Sequence, residues 1–321
     1  MNLHEDSEAF EELIAATAQS IGLPQVYIEK DYWVSAALKH LSVSAYCDQV
    51  VFKGGTSLSK AYRIIDRFSE DIDLAVFSKG LTDGKRKSLL KSVEGDVTSG
   101  LIPLPGDMRE SKGSSFRKTV YKYPRSVGGE DFGQASPQLF IEINAFTHPE
   151  PFEQRPLRSL IADLLLERGE GELIERFALE SFTVNVLCVE RTLVEKILGI
   201  IKDSYDDDPA AKLSNRIRHL YDICLILKSD KYRAFVESPE FKSMCVACIE
   251  DEKSGFLAGN LCLEAPLHAA PLFTNLSDWR TSLENTYSTI FTQLVYGELP
   301  SMDEIFEGIQ FISENLKTQD I

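Results

Sequence analysis

The stretch from residue 50 to residue 77 constrains this chain more than any other. An apolar run, Val50-Val51-Phe52, ends in Gly54-Gly55. Leu58, Ala61, Tyr62 and Ile65 follow at the three- and four-residue spacing of a helix, and a second β-like run then carries Asp71 and Asp73. Side chains two apart on a strand share a face. At about 3.3 Å per residue the two carboxylates start roughly 6.6 Å apart at the backbone and can converge on one ion or a close pair. Hard oxygen donors of this kind suit Mg²⁺, which is held by one or two carboxylates together with substrate phosphates. Paired glycines let backbone approach a polyphosphate, and the helix that follows presents its positive end with Thr56 and Ser57 to cap or donate. Strand, glycine turn, helix and acidic strand together describe a phosphate cradle facing a metal-binding carboxylate pair. An Asp-x-Asp pair or a Gly-Gly turn alone is ordinarily just a polar strand face or a turn, so the weight lies in the combination.

The wording of the stretch is more specific than its outline. Gly54-Gly55-Thr56-Ser57 followed by Asp71-Ile72-Asp73 resembles the signature of the DNA polymerase β-like nucleotidyltransferase superfamily. Ile28-Glu29-Lys30-Asp31-Tyr32-Trp33, the phrase from Phe52 to Lys60, and Phe68-Ser69-Glu70-Asp71-Ile72-Asp73-Leu74 resemble the AbiEii/AbiGii-type toxin nucleotidyltransferases. The resemblance spans about residues 25–228. It implies an α+β fold: a polymerase β-like domain with a mixed sheet over residues 1–188, followed by a mainly helical domain over 189–321. It also implies Mg²⁺ (one or two ions, with Mn²⁺ as a substitute), an NTP substrate and a toxin that blocks growth. The expected acceptor is RNA, the tRNA 3′ end above all, and a cognate antitoxin is expected as a partner.

Further site residues come from combining the resemblance with the local pattern. Glu142 lies in the apolar run 138–146 with Phe140 and Asn144 on its own face and Ile141 and Ile143 on the other. Acidic side chains are almost never fully buried without a partner or a metal, and the resemblance places a third metal-facing carboxylate here. The amphipathic segments 190–198 and 218–225 correspond to later motifs of the family. The resemblance makes Lys196 the cation that holds the triphosphate and Asp222 a residue that pairs with it, orients it or helps activate the acceptor. Thr192, Glu195 and Arg218 are expected around them, and His219 as a packing residue. The expected set is therefore Asp71, Asp73 and Glu142 for metal, Gly54, Gly55, Thr56, Ser57 and Lys196 for nucleotide, and Asp71, Asp73, Lys196 and Asp222 for catalysis.

The chain has 321 residues, 43% of them hydrophobic, enough for a large core in one or two domains. No apolar run is long enough to span a membrane and the first residues are acidic, which predicts a cytoplasmic protein. Six cysteines in this length predict reduced thiols. Cys245 and Cys248, with Cys262 and His268, only loosely echo a zinc site, and at i, i+3 on a helix the cysteines read as small hydrophobes. Asp203, Asp206, Asp207 and Asp208 read as a solvated acidic loop. A net charge of −16 argues against a broad nucleic-acid-coating surface. Residues 109–125 nevertheless carry Arg109, Lys112, Arg117, Lys118, Lys122 and Arg125 against Glu110 alone, interleaved with Phe116, Tyr121 and Tyr123. This segment is either a patch for triphosphate or RNA or a solvated hairpin.

Along the chain the patterns predict helices over 5–20, 24–41, 85–91 and 157–179, strands over 115–123, 138–146 and 181–188, a loop over 101–113, a turn over 127–133, and helices from 189 almost to the end. Two alternatives stay open: the same transfer to a protein side chain or a small molecule such as an aminoglycoside, and a nucleotide-binding module without catalysis. Retention of the whole residue set argues against the second.

Overall fold

The computed structural model describes residues 1–128, 132, 135–253 and 255–321. The chain forms two compact units, residues 1–63 with 67–187, and residues 64–66 with 188–321. Of the predicted turn over 127–133, residues 129–131 and 133 lie outside the described part.

The first unit is built on a mixed sheet of β1 (Val50–Lys53), β2 (Ile72–Val76), β3 (Ile102–Pro103), β4 (Ser111–Lys112), β5 (Phe116–Lys122), β6 (Leu139–Asn144), β7 (Phe152–Leu157) and β8 (Phe182–Leu187), in the order β3-β5-β6-β2-β1-β8-β7 with β4 on β5. β1 and β2 are antiparallel neighbours, whereas β2–β6 and β1–β8 are parallel. β6 is thus an interior strand, and alternation sends Leu139, Ile141 and Ile143 into the core. β7 was not expected from the sequence. It runs along the sheet edge against β8, exposed over most of its length and carrying Pro156, which only an edge strand accommodates.

The helices of this unit are α1 (Ser7–Ile21), α2 (Gln25–Ser42), α3 (Gly54–Ser57), α4 (Asp83–Val97), α5 (Leu160–Glu167) and α6 (Gly171–Arg176). α1 is capped by Asp6 at its start and by Gly22 in the left-handed conformation at its end. α2 packs on α1, α4, α5 and β8, so it is enclosed on nearly every side and buries thirteen of its residues, among them Glu29, Lys30 and Asp31. The helix expected after the glycine pair is shorter than its apolar spacing suggests. α3 passes into a π-helical turn over Leu58–Tyr62 that stops at Arg63, whose φ of 55° is left-handed. The next three residues leave this unit altogether.

The second unit holds α7 (Val189–Asp203), α8 (Pro209–Asn215), α9 (Ile217–Leu227), α10 (Asp230–Glu237), α11 (Pro239–Glu252), α12 (Pro271–Thr274), α13 (Arg280–Thr289) and α14 (Met302–Thr318). α9 packs between α7 and α14, burying Leu193, Ile197, Leu220, Ile223, Ile309 and Ile312. Residues 64–66 join this unit through the Asp66 carbonyl, which accepts from the backbone N–H groups of Tyr296 (3.0 Å) and Gly297 (3.3 Å). No helix among the described residues is long and apolar enough to cross a membrane.

Candidate active site

β1 ends at Lys53, and the chain turns through Gly54 with φ +77°, a conformation that disfavours a side chain. Space is as restrictive as conformation. A β-carbon on Gly54 would lie 2.2 Å from Oδ2 of Asp73, and one on Gly55 would lie 2.5 Å from Nη2 of Arg67. The two glycines are therefore the seats of an acidic side chain and of a buried guanidinium. Arg67, which no motif in the sequence marks, is 3% exposed and donates to the Phe68 carbonyl at 3.2 Å. The hydroxyls of Thr56 and Ser57 are buried and turned back on the loop: Ser57 donates to the Gly54 carbonyl (2.8 Å) and Thr56 meets Ser69 (2.9 Å).

A row of charge crosses the sheet at this level. Lys53 is the register partner of Asp73, Asp73 of Glu142, and Glu142 of Lys118. Paired residues on neighbouring strands share a face, and at about 4.8 Å per strand the row spans roughly 14 Å at the backbone. Its order is cation, two carboxylates, cation. The Lys118 ammonium binds Glu142 at 2.6 Å, with both side chains about a third exposed. Asp71 immediately precedes β2; Ile72 and Leu74 are buried on the core side, which leaves Asp71 and Asp73 on the opposite, half-exposed face.

Three consecutive charges on α2 bind three different segments, and the middle one holds the loops that flank these acids. Lys30, fully buried, donates to Glu70 (2.5 Å) and to the carbonyls of Ser136 (2.5 Å) and Gln138 (2.7 Å), while the Ser136 N–H donates back to Glu70 (3.0 Å). Glu70 adjoins Asp71, and residues 136–138 lead into β6, so one ammonium ties the approaches to both acidic strands. Asp31 accepts from Lys60 (2.5 Å) and from the backbone N–H of Leu160 (2.8 Å). Glu29 accepts from the N–H groups of Ser126 (2.5 Å) and Val127 (3.4 Å); burial pushes its carboxyl up despite those donors. The signal was present in the sequence, since Glu-Lys-Asp inside an apolar helix demands partners, but their identity was not.

In the second unit Lys196 on α7 and Asp222 on α9 form an ion pair at 2.8 Å, with side-chain exposures of 6% and 0%. Around it, Arg191 is buried and bridges Glu195 (3.4 Å) and Asp251 (2.6 Å), Thr192 is buried, and His219 packs over Gly199.

Other expectations resolve locally. The basic segment 109–125 is not one patch. Arg117 is buried against Glu94 (2.5 Å) on the sheet face opposite Lys118, Lys112 pairs with Glu110 (2.9 Å), and Arg109 pairs with Asp107 (2.6 Å) and lies over the Phe140 ring. Cys245 and Cys248 are buried on α11, and burial pushes the Cys245 thiol up to about 12, as for packing residues. The acidic loop is spent on local contacts: Asp203 binds Arg216 and Asp208 caps α8.

As to metal, no three His, Cys, Asp or Glu side chains among the described residues gather into a cluster able to hold an ion. What is present is the Asp71/Asp73 pair, with Asp73 seated on the glycine turn and Glu142 alongside but held by Lys118. This fits a hard cation held by one or two carboxylates and completed by substrate phosphates, and does not fit an all-protein cage.

Comparison with known proteins bears on the whole chain. A search of curated proteins finds no match. Among solved structures the chain is similar to MenT4, a nucleotidyltransferase toxin from Mycobacterium tuberculosis H37Rv, with 14% identity, a TM-score of 0.47, and coverage of 95% of this chain and 98% of that one. The family described as "Nucleotidyl transferase AbiEii toxin, Type IV TA system" matches residues 36–308, which take in the glycine turn, the acidic strands and the Lys196–Asp222 pair. The chain belongs to the AbiEii family of nucleotidyltransferase toxins of type IV toxin–antitoxin systems.

Proposed function

We propose that this toxin transfers a nucleoside monophosphate from an NTP to RNA, the tRNA 3′ end, and that Asp71, Asp73, Gly54 and Gly55 in the first unit act with Lys196 and Asp222 of the second. The observation that carries this reading is the contact of the Asp73 carboxylate with Gly54, which joins an acidic strand to a turn whose backbone is bare enough to meet a phosphate. Asp71 and Asp73 would hold Mg²⁺, with Glu142 contributing where its ion pair with Lys118 opens. Bound there, the ion would supply charge neutralisation to the triphosphate and the reacting oxygens.

The protein's own groups do the rest. The Gly54–Gly55 backbone lies along the phosphates. Lys196, aimed by Asp222, neutralises the leaving pyrophosphate. The acceptor hydroxyl oxygen forms a bond to the α-phosphorus as the bond from that phosphorus to the bridging oxygen breaks; pyrophosphate leaves, and the hydroxyl proton passes to a site carboxylate. Catalysis is positioning plus charge stabilisation. The antitoxin expected for such a system is a partner of the living cell, where NTPs and tRNA make the cytoplasm the place of action. The test is transfer of α-³²P-labelled NTPs, one base at a time with Mg²⁺, onto total cellular RNA, comparing wild type with Asp73→Asn. A labelled tRNA-sized band lost in the variant supports the reading. Label on protein, or none on RNA with any NTP, refutes the acceptor; full activity of Asp73→Asn refutes the site.

A further inference from the structure

A cavity of about 280 Å³ opens in the first unit, lined by none of the residues placed in the transfer site. It lies beside α2, beyond the C-terminal end of α4 and next to the start of β8. Its walls include the rings of Tyr32, Trp33 and Phe182 and the imidazoles of His4 and His40. His4 sits against Trp33 at 4.8 Å between ring centroids and binds the Tyr32 hydroxyl at 2.8 Å through Nδ1. The indole N–H of Trp33 and Nδ1 of His40 are buried out of reach of solvent and have no hydrogen-bond partner among the described residues. Trp33 is only 4% exposed, so its orphaned donor is a cost that the fold retains. Burial lowers the pKa of both imidazoles, which therefore stay uncharged at neutral pH.

The rest of the lining differs in kind. Lys39 and Arg158 are partly exposed cations. Arg158 is bound by Asp163, but Lys39 has only a loose carboxylate partner, Glu180 at 3.6 Å, besides the Ala178 carbonyl it donates to. A ligand matched to this cavity has a flat π face for the rings and an anionic tail for Lys39. Its size is set by the volume, at the small end of ligand pockets, which run from about 300 Å³ upward.

We propose that this cavity is a second ligand site, for a mononucleotide: a nucleobase against Trp33 and His40 with its phosphate at Lys39. The site is separate from the transfer site and does not depend on the assignment of that site.

The chain has two tryptophans, so a Trp279→Phe background makes Trp33 the sole indole reporter. In that full-length background, intrinsic fluorescence is titrated with AMP, GMP, CMP and UMP, with the matching nucleosides, with inorganic phosphate, and with an end-blocked RNA trinucleotide. The expected result is a saturable change with at least one mononucleotide, at least tenfold tighter than its nucleoside and than phosphate. Lys39→Ala and His40→Ala should each weaken it at least tenfold, and Asp73→Asn should leave it unchanged. Lys39 is partly exposed, so its variant keeps the test intact if His40→Ala fails to fold. The proposal is overturned if no mononucleotide gives a saturable change, or if Asp73→Asn abolishes the signal while Lys39→Ala retains it. It is also overturned if the trinucleotide binds more tightly than its mononucleotides, which would make the cavity part of an RNA track.

Discussion

Replacing Gly54 by alanine tests whether the glycine turn exists to seat Asp73. Two costs are separable. The first is conformational: at φ +77° an L residue is disfavoured by about 1–2 kcal/mol. The second is contact: the new methyl would stand 2.2 Å from Oδ2 of Asp73, whereas ordinary contact begins at 3.4 Å, so the oxygen must retreat by 1.2 Å. The Asp73 β-carbon at 3.2 Å leaves little freedom to absorb this by backbone adjustment alone, and rotation of the carboxylate off its seat is the soft response. Misplacement of a reacting group by about 1 Å costs on the order of 100-fold in rate. Gly22 supplies the control. Its φ is +72°, but a β-carbon there meets nothing within 4 Å. Gly22→Ala should lower the melting temperature by roughly 2–8 °C and leave nucleotidyl transfer within a factor of two. Gly54→Ala should show a similar shift in melting temperature together with a loss of transfer of about 100-fold or more. Transfer by Gly54→Ala equal to that of Gly22→Ala, at matched folded fraction, would refute the link between turn and carboxylate.

Lys196→Met removes the ammonium bound to the buried Asp222 carboxylate and should destabilise the protein by about 3–5 kcal/mol, whereas Lys196→Met with Asp222→Leu should recover most of that stability in urea unfolding and none of the activity. Lys30→Met should cost a similar ~3–5 kcal/mol, with transfer lost under conditions where circular dichroism shows the fold intact. Acidification should weaken the fold through His4 and His40. Burial lowers both pKa values from 6.5, so their contribution is whole above that pH and disappears as pH falls through the lowered values. The His4→Gln/His40→Gln double variant should therefore lose less melting temperature than wild type between neutral pH and the acid side of 6.5.

The parts of this architecture that were legible in the sequence are those that depend on local periodicity. β1, β2, β5, β6 and β8 announce themselves as apolar or alternating runs, and Asp73 and Glu142 as polar breaks within them. β7 is illegible because an exposed edge strand with a proline has no alternation to read. The helix after Gly55 is shorter than its spacing predicts because Ile65 keeps helical spacing while residues 64–66 belong to the second unit. The basic segment misleads for a different reason. Arg117 and Lys118 are neighbours in sequence, yet on a strand neighbours face opposite ways, so one enters an ion pair with Glu94 and the other reaches Glu142.

The Glu29-Lys30-Asp31 run on α2 shows what such a site requires beyond its reacting groups. Burying charge is a poor route to stability, since an apolar replacement of equal volume often does as well or better. What three buried charges give instead is selectivity of position. Each binds a different segment: the loop at 126–127, the loops at 70 and 136–138, and Lys60 with the start of α5. These contacts bridge up to 129 residues of sequence, and those of Lys30 meet the flanks of β2 and β6, the two strands that carry the acids. An apolar α2 would pack as tightly and let those flanks slide. A carboxylate seated within contact distance of a glycine turn tolerates little sliding, and the same tightness that demands Gly54 demands Lys30.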